Sequence, residues 1–422
     1  MDKAFFSMYK FVIILMRDSM EVKIEKLDHF GRGITYLEDK ICFVENALPG
    51  EIVDVSVVKR KPKYLEAKVD SYIEKSSFRI ADECPYSNIC GGCSLGHMTY
   101  EQENEWKEKK IREIIQRYTS VDVCKIEPII FHERNHYRNK IVLHGDENGL
   151  GFYQEKSNQI VSIDQCLLVD QKINECIPFF HNCDIQEAII KTSNDSENRM
   201  ISISGKVDNL DSIIGQNQVV IVNGKCYTKE DKLLTKIGTK KFYEGVHSFF
   251  QVNRTLTEKL YEEVVSHIQK KKYQTVLDLY CGTGTIGIFI SGYVGKVIGI
   301  DSNDSNISDA LKNKEINHVQ NIEFICDKVE NCISSFQGID CIIVDPPRAG
   351  LDSKTKEYLH QISASKIIYV SCDPVTLARD IQDLSDVYSV EELKPFNMFP
   401  RTYHVECVCV LELSKSLYIN EK

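Results

Sequence analysis

The chain has 422 residues, of which 42% are hydrophobic and 27% charged, and its formal net charge is −10. This length exceeds the size at which one hydrophobic core keeps growing, so two or three domains are expected. The net charge excludes a protein that binds nucleic acid over its whole surface, but it is compatible with a local basic patch. The early apolar run at residues 11–16 is too short to span a membrane.

The beginning of the chain and its cysteines bear on where the protein works. We expect residues 1–19 to be an unstructured leader, and Met20 is a second possible start because strand-like sequence follows it. Sixteen cysteines without a secretory signal indicate a reducing compartment, for which the cytoplasm is the default. The cysteines are therefore expected to be thiols, metal ligands or nucleophiles rather than disulfides.

Residues 20–78 are predicted to form a small β-barrel domain. Short apolar runs with a period of two are separated by turn signals such as HFGRG and ENALPGE. A basic run lies within this segment and comprises Lys59, Arg60, Lys61 and Lys63. Taken alone, this run predicts a solvated loop between strands rather than a phosphate contact.

Residues 79–239 are predicted to form a central domain that begins with a cysteine-rich loop. Cys84, Cys90 and Cys93 stand close together in the sequence CPYSNICGGC, which suggests a metal site that lacks one ligand. The spacing does not choose between zinc and an iron–sulfur cluster, and it does not identify the fourth cysteine. Ordinary reduced thiols are the remaining alternative.

The rest of the central domain is predicted to be mixed α+β. A helix is expected over Thr99–Tyr118, with Thr99 and Gln102 at capping-box spacing. Between about 125 and 235, runs such as KIVLHGD, GLGFYQ and MISISG predict strands, and Glu147-Asn148-Gly149 predicts a hairpin turn. We therefore expect a mostly antiparallel sheet here.

Residues 240–422 are predicted to form a doubly wound, Rossmann-like α/β domain, because buried β runs alternate with helical stretches. Gly282–Gly287 match G-x-G-x-x-G between a strand and a helix, and Asp301 ends the next strand, where it could accept a hydrogen bond from a ribose. The turn suits a dinucleotide or S-adenosylmethionine equally. A tight turn without a ligand is the third alternative.

The following strand ends favour the methyl donor. Asp345 in VDPPR and Cys372 in VSCDP end successive strands, so both should face the crevice in which such sheets bind ligands. Asp373 and Pro374 are expected to be the cap and first residue of a helix, whose dipole would favour the Cys372 thiolate. Asp345 as a helix cap and Cys372 as buried filler are the structural alternatives.

A methyl donor beside a soft nucleophile suits the methylation of a pyrimidine at C5. Sulfur adds to C6, C5 takes the methyl group, and a base must then remove the C5 proton before sulfur leaves. Glu406 in the otherwise apolar strand HVECV is the candidate base, with a pKa raised by burial. A solvent-facing glutamate at the sheet edge is the alternative.

These residues resemble the RNA uracil-C5 methyltransferases that carry a TRAM domain and an iron–sulfur region. The resemblance extends from about residue 22 to 413 and is strongest at five motifs: SFFQVN (248–253), LDLYCGTGTIG (277–287), VDPPRAGL (344–351), YVSCDPVTLARD (369–380) and MFPRTYHVECV (398–408). It implies that the N-terminal barrel is an OB-like TRAM domain that binds RNA. The resemblance therefore favours the basic run as a set of phosphate contacts. Tyr137, Arg138 and Lys140 could add to the same RNA-binding surface.

The resemblance also implies roles for individual residues. It makes Cys372 the nucleophile and Glu406 the base, and it makes Cys166 the fourth ligand of a [4Fe-4S] cluster with the three loop cysteines. The contacts to S-adenosylmethionine that it implies are Gln251, Tyr280, Asp301 and Asp345. Two positions depart from the family, which more usually has glutamate where this chain has Asp301 and asparagine where it has Asp373.

The sequence thus predicts an S-adenosylmethionine-dependent 5-methyluridine methyltransferase acting on 23S ribosomal RNA, with transfer RNA as the alternative substrate. A nicotinamide-dependent iron–sulfur oxidoreductase would use the same glycine turn but leave Cys372 and Glu406 without roles. A non-catalytic RNA-binding protein would use only the barrel and the metal. No membrane or protein partner is expected, and the protein is expected to be a monomer.

Overall fold

The computed structural model describes residues 20–414 except 88, 148, 181–183, 194–197, 208–209 and 216–218. The predicted leader therefore lies outside the described residues. The chain forms two compact units. The first contains the described residues up to 87 with 93–103 and 401–403, and the second contains the remainder.

The first unit is built on a six-stranded sheet in the order β1-β5-β6-β4-β3-β2. Its strands are β1 (Met20–Lys23), β2 (Lys26–Leu27), β3 (Gly33–Leu37), β4 (Lys40–Glu45), β5 (Ile52–Arg60) and β6 (Tyr64–Glu74). Alternate residues such as Cys42, Val44, Val53 and Val55 are buried together, which confirms the predicted period of two.

Several charged groups of this unit form ion pairs. The buried carboxylate of Glu51 accepts a hydrogen bond of 2.8 Å from Nη2 of Arg79. The basic run lies at the end of β5 and in the following turn, where the Arg60 guanidinium donates to both carboxylate oxygens of Glu38 at 2.6 and 2.7 Å. Part of its positive charge is therefore balanced within the protein.

A seven-stranded sheet in the second unit has the order β13-β12-β11-β10-β7-β8-β9 and is antiparallel except between β11 and β12, as the sequence predicted. Asn148 of the predicted hairpin turn lies outside the described residues, but β7 and β8 are paired on either side of it. The strands are β7 (Lys140–Asp146), β8 (Gly149–Tyr153), β9 (Ile160–Ser162), β10 (Asp184–Thr192), β11 (Arg199–Lys206), β12 (Val219–Val222) and β13 (Lys225–Cys226).

The second sheet of this unit has the order β18-β17-β16-β19-β20-β22-β21, with β22 antiparallel to both of its neighbours. Its strands are β16 (Thr275–Leu279), β17 (Lys296–Asp301), β18 (Ile322–Cys326), β19 (Cys341–Val344), β20 (Lys366–Ser371), β21 (Tyr388–Phe396) and β22 (Glu406–Leu413), and a separate hairpin joins β14 (Leu233–Ile237) to β15 (Lys240–Glu244).

The α-helices lie between these strands, and several cover the last sheet. They are α1 (Tyr100–Tyr118), α2 (Gln171–Asn174), α3 (Leu210–Ile214), α4 (Arg254–Gln269), α5 (Thr285–Ile290), α6 (Asp304–Ile316), α7 (Val329–Cys332), α8 (Ser353–Ile362) and α9 (Pro374–Asp383). At the start of α1, Oγ1 of Thr99 accepts a hydrogen bond of 3.4 Å from the Gln102 amide, as expected of its cap. No described helix combines the length and apolarity needed to cross a membrane.

Both faces of the parallel strands are buried, which explains their continuous apolar sequences. In β19, Ile342 packs into one apolar cluster with residues of α8 and α9, such as Leu359 and Leu377. The next residue, Ile343, packs into a second cluster with Leu260 of α4. Helices therefore cover both faces and leave the carboxyl edge of the sheet for polar residues.

Candidate active site

Four parallel strands end together at one edge of the sheet. Leu279 of β16 is in register with Ile300 of β17 and Val344 of β19, and Val344 is in register with Tyr369 of β20. The polar residues at or just beyond these strand ends therefore share one edge, as the sequence predicted. They are Tyr280, Asp301, Asp345 and Cys372.

The glycine turn after β16 has a backbone that few residues tolerate. Gly282 and Gly284 have φ values of 55° and 77°, and Tyr280 has a φ of 61°, which is rare for a residue with a side chain. A Cβ atom on Gly284 would lie 2.4 Å from the Phe324 ring. Asp301 fixes the turn because its carboxylate accepts a hydrogen bond of 3.0 Å from the Gly282 amide.

Asp278 in β16 is buried directly below this turn. Its Oδ2 accepts a hydrogen bond of 2.9 Å from the Gly287 amide, while its Oδ1 has no partner among the described residues. Burial, with the nearby carboxyls of Asp345 and Asp301, raises the pKa of Asp278 to about 7. Oγ1 of Thr283 in the turn is likewise buried without a described partner. Unsatisfied polar atoms at this edge fit a polar ligand.

Cys372 lies half-buried between β20 and α9. Burial raises the pKa of its thiol to about 11; the carboxyls of Glu406 and Asp345 act in the same direction, and the Arg348 guanidinium opposes them. Burial and the two carboxyls therefore outweigh any lowering of this pKa by the start of α9. A thiol with a pKa of about 11 is protonated at neutral pH.

Asp373 caps α9, as predicted. Its Oδ1 accepts hydrogen bonds from the amides of Val375 at 2.9 Å and Thr376 at 3.2 Å. Its charge raises the pKa of Cys372 less than burial, Glu406 and Asp345 do. An asparagine, which the resemblance to the family favours at this position, would present the same type of acceptor oxygen to these amides.

Glu406 begins β22 and is only 1% exposed, so its alternative as a solvent-facing edge residue is wrong. It lies opposite Phe396, while the next residue, Cys407, lies opposite Ser371, which precedes Cys372. Burial raises the pKa of Glu406 well above its usual value, and the Asp345 carboxyl adds to this effect. The structure thus places a buried carboxyl on the strand next to the thiol.

Asp345 follows β19 and is not a helix cap. The cap of the next helix, α8, is Asp352, which accepts hydrogen bonds of 2.9 and 3.0 Å from the amides of Lys354 and Thr355. Burial raises the pKa of Asp345 to about 7. This carboxyl is therefore available for a ligand or for proton exchange near neutral pH.

Three further residues share this electrostatic environment, and the sequence reasoning gave them no role. Arg348 is exposed and lowers the pKa values of both Cys372 and Glu406. Burial and nearby cations, of which Arg348 is the strongest, lower the pKa of His404 to about 4, so this imidazole is neutral at pH 7. Tyr261 of α4 is buried with its hydroxyl 2.8 Å from Oγ1 of Thr285. The position of Arg348 directly after Asp-Pro-Pro could have indicated a role at the site. No sequence pattern around Tyr261 indicates one.

Gln251 lies half-buried in the segment between β15 and α4. Its carbonyl oxygen accepts a hydrogen bond of 3.3 Å from Nδ2 of Asn139. The hydroxyl of the nearby Tyr137 donates to the Pro400 carbonyl at 3.2 Å, and this tyrosine is only 8% exposed. Tyr137 therefore does not contribute to an exposed RNA surface, contrary to expectation.

The four predicted cluster ligands are all half-buried: Cys84, Cys90, Cys93 and Cys166. In the first unit, the Cys84 amide donates a hydrogen bond of 3.0 Å to Asp82. In the second unit, Cys90 forms a β-bridge with Gln154, and the Cys166 amide donates to Oδ1 of Asn174 at 2.8 Å. Each cysteine thus lies outside the apolar cores.

Glu263, His267 and Glu392 form another group with metal-ligand chemistry. Lys394 already balances its negative charge, since its Nζ lies 2.7 Å from Glu263 and 3.0 Å from Glu392. The pKa of Glu263 is lowered to about 2 because the hydrogen bonds from His267 and Lys394 outweigh burial. This group is therefore a salt-bridge network in the present structure.

The fold and the strand-edge site are typical of methyltransferases that use S-adenosylmethionine. Comparison with known proteins identifies the family within this class. Residues 214–414 match the family model of tRNA (uracil-5-)-methyltransferases, and residues 17–69 match the TRAM domain. Similar chains include RNA methyltransferases of Halalkalibacterium halodurans (30% identical, covering 94% of this chain and 97% of that protein) and Oceanobacillus iheyensis (32%, covering 93% and 96%).

A solved structure gives the same result for the fold. The Pyrococcus abyssi tRNA (uracil-54, C5)-methyltransferase in complex with S-adenosyl-L-homocysteine is 27% identical, with a TM-score of 0.76, and the match covers 93% of this chain and all of that one. The chain belongs to the RNA uracil-5-methyltransferase family. The predicted family, its TRAM domain and its multidomain α/β fold are thereby confirmed.

Proposed function

We propose that this protein methylates C5 of a specific uridine in RNA through a covalent bond between Cys372 and C6. The observation that carries the proposal is the pairing of a half-buried thiol with a buried carboxyl: Cys372 follows β20, and Glu406 starts the antiparallel neighbour β22. Both lie at the sheet edge that also presents Asp345. This combination supplies a soft nucleophile and a strong carboxylate base in one crevice.

The chain's own residues perform two steps on the uracil ring. The Cys372 thiol gives up its proton to solvent, and the thiolate adds to C6. The electron pair of the C5–C6 double bond moves to C5, where the methyl group is received as its bond to the donor sulfur breaks. The Glu406 carboxylate then removes the C5 proton, the C5–C6 double bond re-forms, and sulfur leaves C6. A raised pKa makes Glu406 a stronger base once it has lost its own proton.

S-adenosylmethionine, when bound, supplies the methyl group on a positively charged sulfur. We assign its contacts to Gln251, Tyr280, Asp301 and Asp345, and the unsatisfied Oδ1 of Asp278 adds a buried acceptor at the same edge. A cationic ligand close to Asp345 and Cys372 would favour their ionised forms, in the same direction as Arg348 does. The donor set therefore fits this cofactor.

The glutamate role can be tested by trapping. Glu406→Gln removes the base while keeping the side-chain volume, so methyl transfer should proceed and elimination should stall. Denaturing electrophoresis should then show methylated RNA bound to the protein. Multiple turnover by Glu406→Gln at the wild-type rate would exclude Glu406 as the base.

We propose 23S ribosomal RNA as the substrate, supported by the combination of a TRAM domain with four candidate cluster cysteines. Transfer RNA is the second candidate, because the matching family model and the Pyrococcus abyssi enzyme are both named for it. A uracil must leave its stack to reach Cys372, so a loop or single strand is the expected target. Mapping 5-methyluridine in both RNAs from cells with and without the gene distinguishes the candidates, and no loss in either would contradict the proposal.

We further propose that Cys84, Cys90, Cys93 and Cys166 hold a [4Fe-4S] cluster, for which four thiolates are the usual donor set. The cluster would hold the loop and shape the RNA-binding surface. Anaerobically purified protein should be brown, and Cys166→Ser should lose the visible absorption; a colourless zinc protein would contradict the cluster.

We propose boundaries at 20–78, 79–239 and 240–422 for the three domains. We also propose that the protein is a monomer in the cytoplasm.

A further inference from the structure

The segment from Gly245 to Gln251, called here the 245–251 loop, follows β15 on the way to α4 and has no helix or strand structure. Its course must therefore be set by contacts with neighbouring elements. Ser248 in the middle of the loop is only 2% exposed, whereas the adjacent Phe249 is 62% exposed. The loop is thus anchored at Ser248 and ends at Gln251, a proposed contact of the methyl donor.

A buried lysine holds one side of this anchor. Nζ of Lys191 in β10 donates to the carbonyl oxygens of Gly245 at 2.7 Å and Ser248 at 3.1 Å, and it pairs with Glu244 at 2.8 Å. These three acceptors use all three donors of the ammonium group. The Lys191 side chain is fully buried and that of Glu244 is only 4% exposed, so removal of either partner leaves a buried charge without compensation.

A buried aspartate holds the other side. The Ser248 hydroxyl donates to Oδ2 of Asp309 and accepts a hydrogen bond of 3.0 Å from the Gly245 amide. Asp309 is only 1% exposed, and its other oxygen pairs with Lys232. Ser248 is therefore hydrogen-bonded to β10 through its carbonyl group and to α6 through its hydroxyl group.

The same helix also contacts the cofactor turn. Nδ2 of Asn313 in α6 donates to the Thr283 carbonyl at 3.1 Å, and Oδ1 of Asn313 accepts from the Tyr243 amide at 2.6 Å. Asn313 is completely buried. One helix therefore fixes the glycine turn, the β14–β15 hairpin and, through Asp309, the 245–251 loop relative to each other.

We propose that Lys191 and Asp309 are positioning residues that hold the 245–251 loop in the conformation in which Gln251 meets the methyl donor. The inference rests on the proposed function, in which Gln251 is such a contact. A loop that is ordered before binding does not lose conformational freedom when the ligand arrives, so its anchors contribute to affinity without touching the ligand. Displacing a positioned group by about 1 Å can cost about a hundredfold in rate.

The test is a double-mutant cycle on the full-length protein. Lys191→Met should weaken binding of S-adenosylhomocysteine about tenfold or more by calorimetry, and it should raise KM for S-adenosylmethionine. In the Gln251→Ala background the same substitution should have little further effect, because its target is already gone. Arg79→Met is the matched control, since it breaks a buried ion pair with Glu51 in the first unit and should lower stability without changing KM.

Ser248→Ala provides a second test that keeps the Lys191–Glu244 pair intact. It removes only the hydroxyl bond to Asp309, so it should also raise KM, and this rise should also vanish with Gln251→Ala. Independent, additive effects of Lys191→Met or Ser248→Ala would overturn the positioning role. If Gln251→Ala alone leaves ligand affinity unchanged, the proposed contact of Gln251 fails instead. If Lys191→Met does not fold, Ser248→Ala decides the outcome.

Discussion

Replacing Asp373 separates the two effects of its position, which are capping α9 and placing a charge beside the Cys372 thiol. Asp373→Ala removes the acceptor for the amides of Val375 and Thr376. Loss of such a cap costs about 1 kcal/mol, within a range of about 0.5–2. Asp373→Asn keeps an acceptor oxygen and loses only the charge at the helix N-terminus, which is worth about 0.3–1 kcal/mol. We therefore expect the alanine variant to be the less stable of the two.

The effect on the thiol should be smaller than the adjacency suggests. Asp373 is a weaker influence on the pKa of Cys372 than burial, Glu406 or Asp345. Charge pairs that are partly exposed to solvent interact by about 0–1 kcal/mol, which is less than one pKa unit. The rate at which iodoacetamide alkylates Cys372 should therefore show a pH midpoint in Asp373→Asn within about one unit of the wild-type value.

Both halves of this prediction can be refuted. Denaturant unfolding gives the free energies, and peptide mass spectrometry reports alkylation of Cys372 separately from the other cysteines. An alanine variant as stable as wild type would show that the cap contributes nothing. A midpoint displaced by well over one unit in Asp373→Asn would show that Asp373, rather than burial, controls the thiol.

Three further predictions concern ionisable groups of the site. Alkylation of Cys372 should be slow at pH 7 and rise towards pH 11, since burial raises the pKa of its thiol to about 11; rapid reaction at pH 7 would contradict the assigned environment. Asp345→Asn should shift this profile to lower pH, because a carboxylate that opposes the thiolate is removed; an upward shift would contradict it. Asp278→Asn should stabilise the protein above pH 7 but not below about pH 4. The pKa of Asp278 is about 7 in the folded protein and 3.8 ordinarily, so the wild-type protein loses stability as the pH rises between these two values. The loss amounts to up to about 4 kcal/mol. An equal free-energy difference at pH 4 and pH 8 would refute the burial of this charge.

The sequence predicted those elements whose local residue pattern matches their environment in the folded protein. The period-two strands of the first unit, the continuous apolar strands and the Thr99 cap follow from local rules. Strand ends at one edge of a parallel sheet follow from topology, so the shared location of Asp301, Asp345 and Cys372 could be predicted without coordinates.

Other features depended on packing that no local pattern encodes. Strand β21 carries Glu391, Glu392 and Lys394, whose charges hide its strand character, because β21 is the edge of its sheet and these side chains pair with neighbours such as Lys366 and Glu263. The raised pKa of Cys372 arises from burial and from two carboxyls that are distant in sequence. The anchoring of Ser248 by Lys191 and Asp309 joins three separate segments, so sequence spacing gave no signal for it.

The central claim is covalent catalysis by Cys372, and RNA that contains 5-fluorouridine tests it most directly. Fluorine at C5 cannot leave as a proton, so after methyl transfer the bond between Cys372 and C6 should persist. With S-adenosylmethionine present, the protein should form a denaturation-resistant adduct with this RNA, and peptide mapping should place the modification on Cys372. Cys372→Ala should form none. An adduct that persists in Cys372→Ala, or wild-type methylation of ordinary RNA by that variant, would contradict the account.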